Sequence, residues 1–254
     1  MTAKPQTFIF REPQSIAELE DMLKVRYKAF LNSDARFAIK LNEYELDIDE
    51  FDYYSHFVGV FSQENKKQTV VGAIRLIAEN KGKYVDWLNQ ILGKRKNIKV
   101  NQQINFPFSM IKYCEEKRQI IVDFIQKEEN RNLEKKEASR ISIDKSVISP
   151  NLSFALIEAA FAFFLKPNNL IFINVKANTS RIYQNYGFSV IENTLCSILD
   201  TLYQPHFVTY NMIPPSFLEK FKKMQAAYRE TGQICYHTDQ PDNYYLEKYQ
   251  TETQ

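Results

Sequence analysis

Six charged side chains sit where a solvated surface gives no reason for them. Arg75 lies inside the apolar run "GAIRLI", Arg26 in "RYKAF", Asp49 and Asp52 in "DEFD", and Glu137 with Arg140 in "EASRISIDK". An unpaired guanidinium is costly to bury, so Arg75 should have carboxylate partners, and Asp49, Asp52 and Glu137 are the candidates. One reading is structural: a buried ion-pair network, with Glu137 and Arg140 a salt bridge at a strand end. The other is chemical: arginines that hold carboxylates in place within a site. Strict strand alternation places Glu137 and Arg140 on opposite faces, so both can face one site only if the strand bulges or splays.

The elements that must position these groups follow from periodicity. "TFIFRE" (7–12) reads as a strand, and "IAELEDMLKVRYKAF" carries a helical stripe over 15–31, starting after Pro13 and Ser15. "YYSHFVGVF" and "TVVGAIRLI", split by "SQENKKQ", form a hairpin. Residues 79–136 read as an insertion, with one helix near 84–92 and a charged helix near 115–134. The strand 137–145 follows, with alternation over Arg140-Ile141-Ser142-Ile143-Asp144. Pro150 and Asn151 start a helix, "LSFALIEAAFAFFL". "NLIFINVKA" is a strand, "NTSRIYQNYGF" a short helix closed by Gly187, "SVIE" a strand start and "FVTYNM" (207–212) another strand. A last helix, "PSFLEKFKKMQAAYRE", precedes a polar tail. This order gives an α+β domain around a mixed sheet, with no visible repeat or linker, so residues 1–254 read as one domain that ends in a C-terminal helix and tail over 213–254.

Composition narrows the function. Apolar residues make up 44% and charged residues 25% of 254, as in ordinary folded proteins, and a net charge of +2 without a long basic run gives no nucleic-acid footprint. The N-terminus has charges where a signal peptide needs an apolar run, and "FALIEAAFAFFL" is too short to span a bilayer, so a cytoplasmic chain is expected. Cys114, Cys196 and Cys235 lack metal-ligand or redox spacing, which fits a reducing compartment. No metal site is expected from "C-Y-H" with His206 and His237. Six glycines against 15 tyrosines and 19 phenylalanines argue against a phosphate-cradling loop and for a large apolar interior or a greasy cavity.

"R-Y-K-A-F", "D-E-F-D", "V-V-G-A-I-R-L-I" and "E-A-S-R-I-S-I-D-K", in this order, resemble the acyl-homoserine-lactone synthases and the related N-acyl amino acid synthases of the GNAT acyltransferase superfamily. The resemblance covers about residues 7–195. It implies a mostly antiparallel sheet flanked by helices, with central strands splayed into a V-shaped cleft. It implies that Arg26, Asp49, Asp52, Arg75 and Arg140 bind substrate, that Glu137 and Tyr183 are catalytic, and that Phe30, Ile141, Ser142 and Ile143 line the acyl and pantetheine path. Tyr183 stands in "R-I-Y-Q-N-Y-G-F", where the superfamily often has a tyrosine. Two departures matter. Residues 31–48 lack the tryptophan of lactone synthases, and "D-E-F-D-Y-Y-S-H-F" looks more like the amino acid synthases. "DKSVISPNLS" has no glycine where coenzyme A enzymes carry a pyrophosphate loop, which favours an acyl-carrier protein as donor.

The resemblance implies an N-acyltransferase that moves a fatty acyl group from a thioester to the amine of an amino acid or of a peptide side chain. No tightly bound cofactor and no integral membrane association are expected. The alternatives are a lactone synthase using S-adenosylmethionine and a non-catalytic acyl-binding protein. His56 is a further candidate relay or a structural histidine, and the patches 81–83 and 93–96 are candidate docking points for an acidic carrier.

Overall fold

The computed structural model describes residues 6–64, 67–147, 149 and 151–238. Strand β1 (Thr7–Arg11) leads into helix α1 (Ile16–Leu31), and a 3-10 turn over Glu50–Tyr54 precedes β2 (Ser55–Glu64) and β3 (Lys67–Ala78). Helices α2 (Val85–Gly93), α3 (Ser109–Tyr113), α4 (Arg118–Gln126) and α5 (Glu128–Arg131) come before β4 (Glu134–Ile143). Then follow α6 (Leu152–Phe164), β5 (Asn169–Lys176), α7 (Ser180–Gln184), β6 (Ser189–Val190), β7 (Cys196–Ile198), β8 (Thr201–Thr209), α8 (Pro215–Thr231) and β9 (Ile234–His237).

One mixed sheet runs in the order β6-β8-β5-β4-β3-β2-β1-β9, with β7 paired to β8, and among the described residues only β4 and β5 run parallel. Alternation along the strands sorts the side chains. Phe8, Phe10, Val58, Val60, Ile74 and Leu76 face one cluster with α6 and α8. Ile9, Phe57 and Phe61 face α1 and α2, and Leu170 with Phe172 faces the α3 and α4 layer. This is the expected α+β architecture.

The V-shaped cleft lies where the parallel pair ends. β4 and β5 pair from Glu134↔Asn169 to Ala138↔Ile173 and no further. Beyond that point β4 stays with β3 as far as Gly72↔Ile143, while β5 stays with β8 as far as Lys176↔Tyr203. The β3–β4 register shifts between Ala73 and Arg75, opposite Ser142 and Ser139, so β4 carries one extra residue there. Arg140 lies in that extra step with φ 57°, a left-handed conformation uncommon for a non-glycine residue.

Several boundaries differ from the sequence reading. The single helix expected near 115–134 is two, separated by Lys127, whose ψ of 145° cannot continue a helix. β4 begins at Glu134, earlier than expected, because the charged run Glu134-Lys135-Lys136 hides a strand whose lysines are buried. Lys135 survives there by donating to the Arg131 and Leu133 carbonyls, and Lys136 by pairing with Glu134. β7, the first half of β8 and β9 lack a clear alternating pattern in the sequence. Pro205 sits inside β8, and "ICYH" is short enough to read as tail, yet it adds an antiparallel strand beside β1. β8 also ends sooner than expected: Tyr210–Met212 is a 3-10 turn rather than the end of a strand. Pro150, residues 65–66 of the expected turn and the tail from 239 lie outside the described residues.

Gly187 closes α7 as expected, with φ 91°, and a Cβ there would collide with the Met212 carbonyl. Gly187→Ala is expected to cost about 1–3 kcal/mol of stability, read from the denaturant midpoint. A midpoint equal to wild type would show that this turn is not constrained.

Candidate active site

α1 brings Arg26 into the interior near its C-terminal end, and the segment after it folds back so that three aspartates meet three arginines. Arg26 donates from Nη2 and Nε to Asp47 Oδ2 (2.9 and 3.2 Å) and from Nη1 to Asp52 Oδ1 (2.7 Å). Arg75 Nη1 donates to Asp49 Oδ1 (2.5 Å) and Asp52 Oδ1 (3.0 Å), and its Nε donates to Ser139 Oγ (2.9 Å). Arg140 Nη2 donates to Asp49 Oδ2 (3.1 Å) and to the Ala38 carbonyl (2.5 Å). The Asp49 and Asp52 carboxylates also accept backbone N–H groups of Phe51 and Asp49, respectively, which fixes the 3-10 turn.

All six groups are buried. Burial pushes the Asp49 carboxyl up, but the Arg75 and Arg140 charges outweigh it and hold Asp49 well below the ordinary carboxylate range. Burial works against the Arg75 cation, and Asp49 and Asp52 reverse this and raise it well above its ordinary value.

Glu137 stands apart from this network. It does not pair with Arg140. Its Oε1 accepts from Ser109 Oγ (2.5 Å) and its Oε2 from the Met110 N–H (3.2 Å), both on α3. Burial raises the Glu137 carboxyl above the ordinary range, against the Ser109 and Met110 hydrogen bonds and the Arg75 charge, which pull it down. The extra residue in β4 thus sends Glu137 and Arg140 to two different sets of partners on one side of the fork.

A cavity of about 280 Å³ opens at the fork. Its lining includes Phe30, Arg75, Tyr113, Glu137, Arg140, Ile141, Asn174, Tyr183 and Tyr203. Arg75 Nη2, Asn174 Oδ1 and the Tyr203 hydroxyl, all buried, have no hydrogen-bond partner among the described residues. Tyr183 reaches the cavity from α7, and burial raises its phenol above the ordinary value.

The structure therefore distributes the residues singled out in the sequence. Arg75, Glu137, Arg140, Phe30, Ile141 and Tyr183 line the cavity, whereas Arg26, Asp49 and Asp52 form the charged layer that Arg75 and Arg140 bond to. Ser142 and Ile143 do not line it: Ser142 Oγ donates to the Ala73 carbonyl, and Ile143 packs over Gly72. His56 is on the opposite face, against Phe164 with ring centroids 5.1 Å apart. His206 is buried and shares a hydrogen bond with Ser180 Oγ (2.6 Å). Toward α6 lies a void of about 10 Å³ against Ile157, Ala160 and Phe161, with Ala138, Ile141, Ile173 and Tyr183 shared between it and the main cavity.

Sequence reasoning misses four residues of the site. Asp47 lies in the same acidic stretch and was readable as Asp-x-Asp; Ser109, Tyr113 and Ser139 carry no signal beyond their place in patches already noted. Cys114 and Cys196, scattered in the sequence, meet as a disulfide across 82 residues, and Cys235 lies outside it.

Comparison with known proteins places this geometry. The model of the acetyltransferase (GNAT) domain family matches residues 25–104, the stretch that holds Arg26, Asp49, Asp52 and Arg75. The N-acyl amino acid synthase FeeM from uncultured soil microbes superposes with a TM-score of 0.51 at 11% identity, over 87% of this chain and 98% of that one. The chain has the GNAT acyltransferase fold. The CoA-dependent acyl-homoserine lactone synthase BjaI (TM-score 0.48, 14% identity, 83% of this chain and 82% of that one) and the AHL synthase LasI (0.48, 15%, 81% and 90%) are also similar. No curated protein matches by sequence. The expected enzyme class, acyltransferase, is the one that the family match and the fold support.

Asp52 is shared by Arg26 and Arg75, so Asp52→Ala leaves buried cations short of a partner and is expected to cost about 3–5 kcal/mol. A loss below about 1 kcal/mol in chemical denaturation would mean that the network is solvated. The depressed Asp49 carboxyl adds stability above its unfolded pKa of about 3.9, and this contribution is lost as pH falls toward the lower folded value. Wild-type stability is expected to drop on acidification below about pH 4 more steeply than that of Asp49→Asn. Parallel stability curves for the two proteins would remove Asp49 from the account.

Proposed function

We propose that this chain is an N-acyltransferase that moves a fatty acyl group from a thioester donor to the amine of an amino acid. The observation that carries the reading is Glu137: a buried carboxyl with a raised pKa, at the fork of β4 and β5, on the wall of an otherwise largely apolar cleft. Past the fork, the facing edges of β4 and β5 are unpaired with each other, and an amide-bearing pantetheine arm can satisfy those backbone groups. The acyl carbonyl then lies beside Glu137, and the tail follows Phe30 and Ile141.

In this reading the acceptor ammonium gives a proton to Glu137, directly or through one water. The neutral nitrogen attacks the thioester carbonyl, and the tetrahedral intermediate collapses with departure of the thiolate, which takes a proton from the Tyr183 hydroxyl; the second proton that the nitrogen loses restores Tyr183, and the proton on Glu137 passes to solvent. Carboxylates with raised pKa are better bases than ordinary ones, so burial suits Glu137 to the first step. Arg75 Nη2, without a partner among the described residues, matches the carboxylate of an amino acid, and this favours an amino acid over a peptide side chain as acceptor. The glycine-free 144–153 segment supports an acyl-carrier protein as donor partner, and a cytoplasmic setting belongs to the same reading.

The test is product detection. Acyl-carrier-protein thioesters incubated with the enzyme and an amino-acid mixture are expected to yield N-acyl amino acids with stoichiometric free thiol, read by mass spectrometry. The carrier-protein thioester is expected to show a higher kcat/KM than the coenzyme A thioester of the same chain; equal or better use of coenzyme A would overturn the donor assignment. Release of methylthioadenosine from S-adenosylmethionine would instead assign the lactone synthase reaction. Ser109→Ala removes a bond that lowers the Glu137 pKa, so the acid limb of the kcat/KM profile is expected to move to higher pH. An unmoved limb would mean that Glu137 is not the group titrating.

A further inference from the structure

The disulfide sits directly behind the cleft. Cys114 caps the C-terminal end of α3, and Cys196 opens β7, with a Cα–Cα separation of 5.8 Å, inside the range that a disulfide spans. α3 carries Ser109 and Met110, which hold Glu137, and Tyr113, which lines the cavity. β7 and β8 carry Ile198 and Tyr203 on the facing wall, and Cys196 is the cross-strand partner of Tyr203. Phe37 stands edge-on between these walls, its ring centroid 5.8 Å from Tyr113 and 6.3 Å from Tyr203. Asn174, another lining residue, points its Nδ2 at Cys114 Sγ (3.5 Å).

Both elements joined by this bond are weak on their own. α3 has five residues, well short of a self-supporting helix, and β7 has three residues paired only to β8. Both walls pack into one buried cluster through Met110, Ile111 and Cys196, and the covalent bond adds a fixed distance between them.

We propose that the Cys114–Cys196 bond is a redox-responsive brace: closed, it holds α3 against β7–β8 and keeps Glu137 in its working position; open, it lets α3 shift and turnover falls. This inference rests on the reading of Glu137 as the base. Closing the brace joins two thiols by exchange with a small-molecule disulfide of the glutathione class, which leaves as two thiols and carries away the two electrons and two protons; two equivalents of that thiol reverse it. Both cysteines are buried, so exchange proceeds through local opening of the short β7–β8 hairpin. In a reducing compartment such a bond is redox-sensing more often than permanent.

The full chain equilibrated with oxidised or with reduced glutathione tests this. Thiol titration after denaturation should find two more thiols per chain in the reduced sample. At a temperature where both forms are folded, reduction should lower kcat about ten- to hundredfold, the range that misplacement of a catalytic group produces, and reoxidation should restore it. Hydrogen exchange at the Met110 amide should quicken on reduction, a readout that does not depend on acyl transfer. Cys196→Ser should sit at the reduced level whatever the glutathione poise, and Cys235→Ser should keep the response. An equal thiol count in both samples, or a reduced form with kcat within about twofold and unchanged Met110 exchange, would overturn the brace. Redox-dependent exchange without acyl transfer in either sample would support the brace and reject the assigned reaction.

Discussion

Three guanidinium groups buried against three carboxylates set the terms for the rest of this structure. Removing any one of the six leaves a charge in a medium that cannot solvate it, a cost of several kcal/mol, so α1, the 47–52 segment, β3 and β4 have to meet at one place. β4 reaches that place only by giving up regularity. Arg140 enters the network from a left-handed step with an extra residue, and the strand that makes this step no longer follows β5. The cleft is the space that results.

The network also explains why two kinds of carboxyl coexist within one site. Asp47, Asp49 and Asp52 are matched by Arg26, Arg75 and Arg140, three against three. Glu137 is left to neutral donors, a serine hydroxyl and one backbone N–H. Burial with cations beside it drives Asp49 down; burial without a direct ion pair drives Glu137 up. Environments that push neighbouring carboxyls apart in this way separate structural charges from those available for proton transfer.

Much of this was legible in the sequence because it rests on strong local signals. An arginine inside "GAIRLI" demands carboxylates, and the α1, hairpin, α6 and β5 patterns carry clear periodicity. The conflict between Glu137 and Arg140 under strict alternation already pointed to a bulged or splayed strand. What stayed hidden depends on tertiary context. Lys135 and Lys136 look like a solvated run but lie buried in β4, and Pro205 disguises β8. Nothing near Ser109 or Tyr113 in the chain marks them as neighbours of Glu137 and Arg140, which follow 28 and 27 positions later. The pairing of Cys114 with Cys196 is likewise a product of the fold, since 82 residues separate them.

The most direct test of the account is kcat/KM for acyl transfer by Glu137→Gln, measured across pH in a protein with wild-type Tm. Glutamine keeps the volume and most of the hydrogen-bonding shape but cannot take a proton. An unchanged Tm, a loss of about 10²-fold or more, and disappearance of the acid limb are expected. A folded variant with kcat/KM within about threefold of wild type would return Glu137 to a structural role and leave the cleft without its base.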